Sequence, residues 1–149
     1  MSDIIVTTPK SQIAAAAQEA ADVIAAGGGE YFRRFSGGHN SPKINSGDRV
    51  YYVEDGWIRG FAVVSRTMRR GAGERCATTG HVWPPGAYIY MDATSWKWIE
   101  PVPMRGFQGF RYAKYQGYRG ELWGDHDCRQ VKIVGGWRDP KPTLLVVEC

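Results

Sequence analysis

Alternation of apolar and polar residues is clearest at 47–64, Gly-Asp-Arg-Val-Tyr-Tyr-Val-Glu-Asp-Gly-Trp-Ile-Arg-Gly-Phe-Ala-Val-Val. Two alternating runs flank Asp55-Gly56. A two-residue Asp-Gly connection between such runs predicts a β-hairpin, because a type I′ turn needs positive φ at both central positions. Regular pairing across that turn sets Glu54 opposite Trp57, Val53 opposite Ile58, Tyr52 opposite Arg59 and Tyr51 opposite Gly60. One face then carries Tyr51, Val53, Ile58, Gly60, Ala62 and Val64. The other carries Val50, Tyr52, Glu54, Trp57, Arg59 and Phe61. The first face lacks charge and is the expected core face.

Helical periodicity occurs once. Ile13, Ala17, Ala20 and Ile24 recur at i, i+4, i+7 and i+11, which predicts a helix over 9–26 with one apolar stripe. Thr8 is its expected N-cap, Pro9 its first residue and Gly27-Gly28-Gly29 its stop. The stripe is thin and mostly Ala, so the helix must dock on something larger. Residues 1–8 read as a loose leader. Short strands are expected at Glu30–Phe35, Ala87–Met91, Gln130–Val134 and Thr143–Val147. Ser36–Ser46 reads as a polar loop, and Arg66–Thr79 as basic with no clear period. Pro84-Pro85-Gly86 reads as a turn. Asp92–Trp98 is expected to hold a turn or a single helical turn capped by Asp92 or Thr94. Pro101 and Pro103 argue against regular structure over Glu100–Met104. One helix and about six mostly antiparallel strands predict one α+β domain over 1–149, a compact mixed barrel with the N-terminal helix alongside.

Composition supports a packed β-rich chain. The 149 residues are 13% aromatic and 23% charged, which excludes disorder. No apolar run approaches the ~18–20 residues of a membrane span, and the N-terminal residues lack the basic segment of a secretory signal. Three Cys at no framework spacing fit a reducing cytoplasm better than a disulfide scaffold. Net charge is +4, and it is unevenly spread. Residues 59–75 hold Arg59, Arg66, Arg69, Arg70 and Arg75 against Glu74. Residues 97–119 hold Lys97, Arg105, Arg111, Lys114 and Arg119 against Glu100. Such stretches are either solvated faces or the footprint of a polyanion.

The densest chemistry lies in Thr94–Tyr112, where Trp96, Trp98, Phe107, Phe110 and Tyr112 interleave with Lys97, Arg105 and Arg111. Flat aromatic faces stack on unpaired bases and cations neutralise phosphates, as single-stranded or flipped-base recognition requires. Gln108 could hydrogen-bond a base edge. A small barrel needs most of these aromatics inside, which leaves roughly one or two to face a ligand. Trp57 and Arg59, on the second hairpin face, are further candidates. Cys76, His81, His126 and Cys128 have no zinc-site spacing, so no metal or other cofactor is expected. His39, His81, His126, Lys43, Asp48, Glu54, Asp92 and Glu100 supply acid–base groups. No nucleophile elbow, P-loop or dinucleotide fingerprint orders them, so no catalytic residue is assigned.

Gly47-Asp48-Arg49-Val50-Tyr51-Tyr52 and Ile58-Arg59-Gly60-Phe61-Ala62-Val63 resemble the central strand pair of the PUA-like superfamily, especially its ASCH and EVE branches. Trp96–Tyr112 also resembles a segment of small phage and prophage proteins that share this hairpin. The resemblance implies a pseudo-barrel of five or six strands, with RNA, or DNA bearing a modified or flipped base, bound in a cleft beside it. Some ASCH members are nucleases or amidohydrolases. Their signature Gly-x-Lys-x-x-Glu-x-Arg is not intact here, since Gly38–Lys43 lacks the Glu and the Arg. Fold and binding are therefore the transferable part. The expected function is a cytoplasmic nucleic-acid-binding module in which Lys97, Arg105 and Arg111 hold phosphates and Trp96 or Trp98 stacks on a base. A small hydrolase or nuclease, and a phage accessory factor that binds a host protein, are the alternatives.

Overall fold

The computed structural model describes residues 3–8, 16–35, 41–75, 80–113 and 131–139. In chain order the elements are β1 (Ile4–Thr7), α1 (Ala16–Ala25), β2 (Glu30–Phe35), β3 (Arg49–Glu54), β4 (Trp57–Gly71), β5 (Glu74–Arg75), β6 (Val82–Trp83), β7 (Gly86–Asp92), a 3₁₀ turn (Ala93–Ser95), β8 (Lys97–Pro103), β9 (Phe110–Tyr112) and β10 (Ile133–Gly136). Among the described residues the class is α+β, mostly strand with one helix. The strand expected at Thr143–Val147 and the helical positions Pro9 and Ile13 lie outside the described residues.

β4 organises the sheet. Its first half pairs with β3 on one side and β8 on the other, and its second half pairs with β7. The ladder runs β10-β8-β4-β3-β1-β9, and β7 carries β2 on its far side. The sheet is mixed, since β1 and β3 are parallel, and among the described residues it does not close into a barrel. β2 and β9 meet through side chains. Phe35 and Phe110 pack edge to face at 5.7 Å, and Arg33 of β2 also reaches β1, its Nη2 donating to the Thr7 carbonyl at 3.3 Å.

The turn at Asp55-Gly56 has φ of 51° and 86°, as a type I′ hairpin needs. The register holds for Glu54↔Trp57 and Val53↔Ile58 and then shifts. Tyr52 faces Gly60 and Tyr51 faces Phe61, so Arg59 is the extra residue of a β-bulge. Beyond the bulge every β4 side chain changes face. Phe61 joins Tyr51, Val53 and Ile58, while Ala62 and Val64 join Val50 and Tyr52. Both faces are therefore buried, one under α1, β2 and β7, the other against Ile99 and Met104.

Three further expectations are corrected. Ile4–Thr7 is not a leader. Ile4, Ile5 and Val6 are buried on alternate sides of a central strand, and such a strand reads as a short apolar run without alternation. Arg66–Gly71 is not irregular but continues β4. Regular structure persists through Pro103. β8 advances from Val102 to Trp98 while β4 advances only from Ile58 to Gly60, and this irregular stretch accommodates Pro101, which has no N–H to donate.

α1 docks through Ala17, Ala20 and Val23. It ends where the Gly28 N–H reaches the Val23 carbonyl at 2.9 Å. Asp92 caps the 3₁₀ turn as expected, its Oδ1 accepting from the Thr94 N–H at 2.9 Å. No helix among the described residues is long and apolar enough to cross a membrane.

Candidate nucleic-acid interface

The residues expected to form one aromatic and basic cleft are dispersed. Trp96 is 2% and Trp98 4% exposed. Their rings pack edge to face at 5.3 Å, and Trp96 also lies 5.6 Å from the Tyr52 ring. The Trp98 indole N–H donates to the Asp139 carbonyl at 3.2 Å. These tryptophans fill the core under the hairpin, so neither can stack on a base. Arg59, at the bulge, is also buried. Its place between two paired strands takes it out of a phosphate-contacting face. Trp57 and Lys97 are half-buried on β4 and β8.

Arg105 and Gln108 are exposed on the loop between β8 and β9. The Arg111 guanidinium lies 4.0 Å over the Phe107 ring. The Met104 N–H donates to the Gly56 carbonyl and the Phe107 N–H to Thr7 Oγ1, which seats this loop beside the hairpin turn. Arg105, Gln108 and Arg111 are thus brought into one region, with Trp57 opposite Pro103 at its edge and without Trp96, Trp98 or Lys97.

The other basic stretch is at the far end of β4. Arg66, Thr67, Met68 and Arg69 are exposed there. Beyond them β5 and β6 form a short ribbon, with Glu74 opposite Trp83 and Arg75 opposite Val82. The sequence pointed to 59–75 by charge alone. Nothing there signals the exposed aromatic partner, because His81-Val82-Trp83 stands apart in sequence and the residue type of His81 suggests only a metal ligand or an acid–base group. The His81 and Trp83 rings pack edge to face at 4.7 Å, and Trp83 is 36% exposed. Arg75 Nη1 donates to the Gly80 carbonyl at 3.1 Å.

The ribbon is fastened at its base. Arg34 donates to the Pro84 and Pro85 carbonyls, and the Tyr88 hydroxyl donates to Pro84 O. The Tyr90 hydroxyl donates to Glu74 Oε2 at 2.8 Å. Arg66 lies 3.7 Å over the Tyr90 ring, with Nε 3.2 Å from Glu30 Oε1. The Ser65 hydroxyl donates to the other Glu30 oxygen. Glu19, Glu30, Arg66, Glu74, Arg75 and Tyr90 help to line a cavity of about 180 Å³ at this base. Burial, reinforced by the hydrogen bond to Glu74, pushes the Tyr90 phenol up to about 12. Burial likewise raises the Glu19 carboxyl, against the pull of Arg33.

Among the described residues no group of three His, Cys, Asp or Glu side chains is placed to hold a metal ion. Cys76, His126 and Cys128 lie outside the described residues. No protein-family model, no curated protein and no solved structure matches this chain.

Proposed function

We propose that this chain is a nucleic-acid-binding module of PUA-like type, acting in the cytoplasm, and that it grips single-stranded RNA or DNA with the end of β4 and the β5–β6 ribbon. The observation that carries the reading is an exposed aromatic pair, His81 and Trp83, set on the same basic arm as exposed Arg66, Arg69 and Arg75. An aromatic face offers a stacking platform for any unpaired base, and flanking guanidinium groups neutralise phosphates. Arg105 and Arg111, at the other end of β4, supply a secondary basic patch. The net charge of +4 favours approach of a polyanion.

The test is an anisotropy titration with labelled single-stranded RNA and DNA oligonucleotides at low and moderate salt. Three phosphate contacts on a single strand give a slope of log affinity against log salt of about −2. Affinity then falls roughly twentyfold between 50 and 200 mM salt. Absence of binding to either strand at 50 mM overturns the proposal.

A further inference from the structure

We infer that Glu30 sets the affinity of the arm by holding Arg66 back from phosphate, an inference that rests on the nucleic-acid reading above. Among the described side chains of the arm, Arg66 is the most organised cation. Its guanidinium is stacked on Tyr90, and the Tyr90 ring is itself fixed by the bond from its hydroxyl to Glu74. A guanidinium held flat in this way is ready to receive a phosphate. Its Nε is directed instead at Glu30 Oε1, 3.2 Å away.

Glu30 is not free to swing aside. It is the first residue of β2, paired with Asp92 of β7, and its second carboxylate oxygen accepts from Ser65 on β4. The fold therefore places a fixed carboxylate against a preorganised cation on the face offered to nucleic acid. The Arg66 and Glu30 side chains are 50% and 36% exposed, so the pair is open to solvent and to a competing anion. An exposed pair of this kind is weak enough to exchange, and breaking it costs about two- to fivefold in an equilibrium constant. A phosphate that engages Arg66 through Nε must take it from Glu30 and leave that carboxylate in the cavity beside Glu19 and Glu74. Glu30 thus lowers affinity, and it does so through one named arginine.

Glu30→Gln keeps the size of the side chain and leaves an oxygen to accept from Ser65. It should bind a labelled single strand about two- to fivefold more tightly than the wild type at 50 mM salt. Its salt slope should stay near that of the wild type, because Arg66 contacts phosphate in both. Glu100→Gln, at an exposed carboxylate on β8, should leave both unchanged. In Glu30→Gln/Arg66→Ala the gain should vanish. A second measurement needs no variant: in the wild type the Arg66 Nε–H resonance should shift on saturation with the strand, as its acceptor changes from carboxylate to phosphate. Binding by the wild type with no gain in Glu30→Gln, or a gain that survives loss of Arg66, overturns this inference and leaves the function standing. An unshifted Arg66 resonance at saturation does the same. Absence of binding by the wild type removes the function and this inference together.

Discussion

Gly60→Ala tests the packing that takes Trp96 out of contention as a ligand platform. A Cβ added at Gly60 would lie 2.5 Å from the Lys97 carbonyl oxygen, 2.5 Å from Trp96 Cζ2 and 2.9 Å from Trp96 Cη2. The first two fall 0.9 Å short of the 3.4 Å at which ordinary contact begins. Neither neighbour yields cheaply. Lys97 O is backbone of β8, opposite Phe61 of β4. The Trp96 ring is already held against Tyr52 and Trp98. The methyl must therefore part β4 from β8 or displace a buried indole. Overpacking of this kind costs ~1–3 kcal/mol, and the backbone obstacle puts Gly60→Ala near the top of that range. For a chain of this length ~3 kcal/mol lowers Tm by roughly 6–12 °C. Thermal unfolding followed by circular dichroism reads this directly, with the near-ultraviolet tryptophan signal as a second probe. Gly29→Ala is the control, because a Cβ there meets nothing within 4 Å. A Gly60→Ala melting point within 2 °C of the wild type would refute the placement of Trp96 beneath the hairpin.

Two further outcomes follow from buried polar groups. Burial favours the neutral phenols of Tyr52 and Tyr90, which are pushed up to about 12. The folded chain then binds more protons than the unfolded chain above pH 10, so the associated stability is intact below pH 10 and is lost as pH rises through 12. Phenolate absorbance should show a late fraction that shrinks in Tyr52→Phe and in Tyr90→Phe; a single transition near pH 10 in the folded protein contradicts this. Asp48 is 4% exposed, and its Oδ2 accepts from the Asn45 N–H at 2.9 Å. Asp48→Ala should cost ~1 kcal/mol, or about 2–4 °C in Tm, while Asp48→Asn, which keeps an acceptor, should cost less.

The hairpin was legible because its signal is local. Asp55-Gly56 fixes a turn whose two positive φ values need no tertiary information. The bulge at Arg59 was not legible, since it arises where Trp96 presses against Gly60, a contact between residues 36 apart. That single insertion reversed the face of Phe61, Ala62 and Val64 and defeated a strict period-two assignment. β1 was missed for a related reason. Ile4, Ile5 and Val6 are all apolar because both faces of the central sheet are covered, and a three-residue run without alternation resembles a tail. In the candidate site, charge clustering located the basic half at 59–75. Composition could not separate core tryptophans from surface ones. Trp96 and Trp98 sit in the more aromatic stretch and are buried, whereas Trp83, beside two prolines, is exposed.

The central claim is that the arm, rather than the secondary patch after β8, provides the main grip on nucleic acid. It is tested most directly by comparing Arg69→Ala/Trp83→Ala with Arg105→Ala/Arg111→Ala in the same titration against a single-stranded oligonucleotide at 50 mM salt. Loss of one stacking contact alone is worth ~1–3 kcal/mol, or about 5- to 150-fold in affinity. The arm variant should lose tenfold or more, and the loop variant should stay within about threefold of the wild type. Wild-type affinity in the arm variant, with binding lost in the loop variant, would contradict the account.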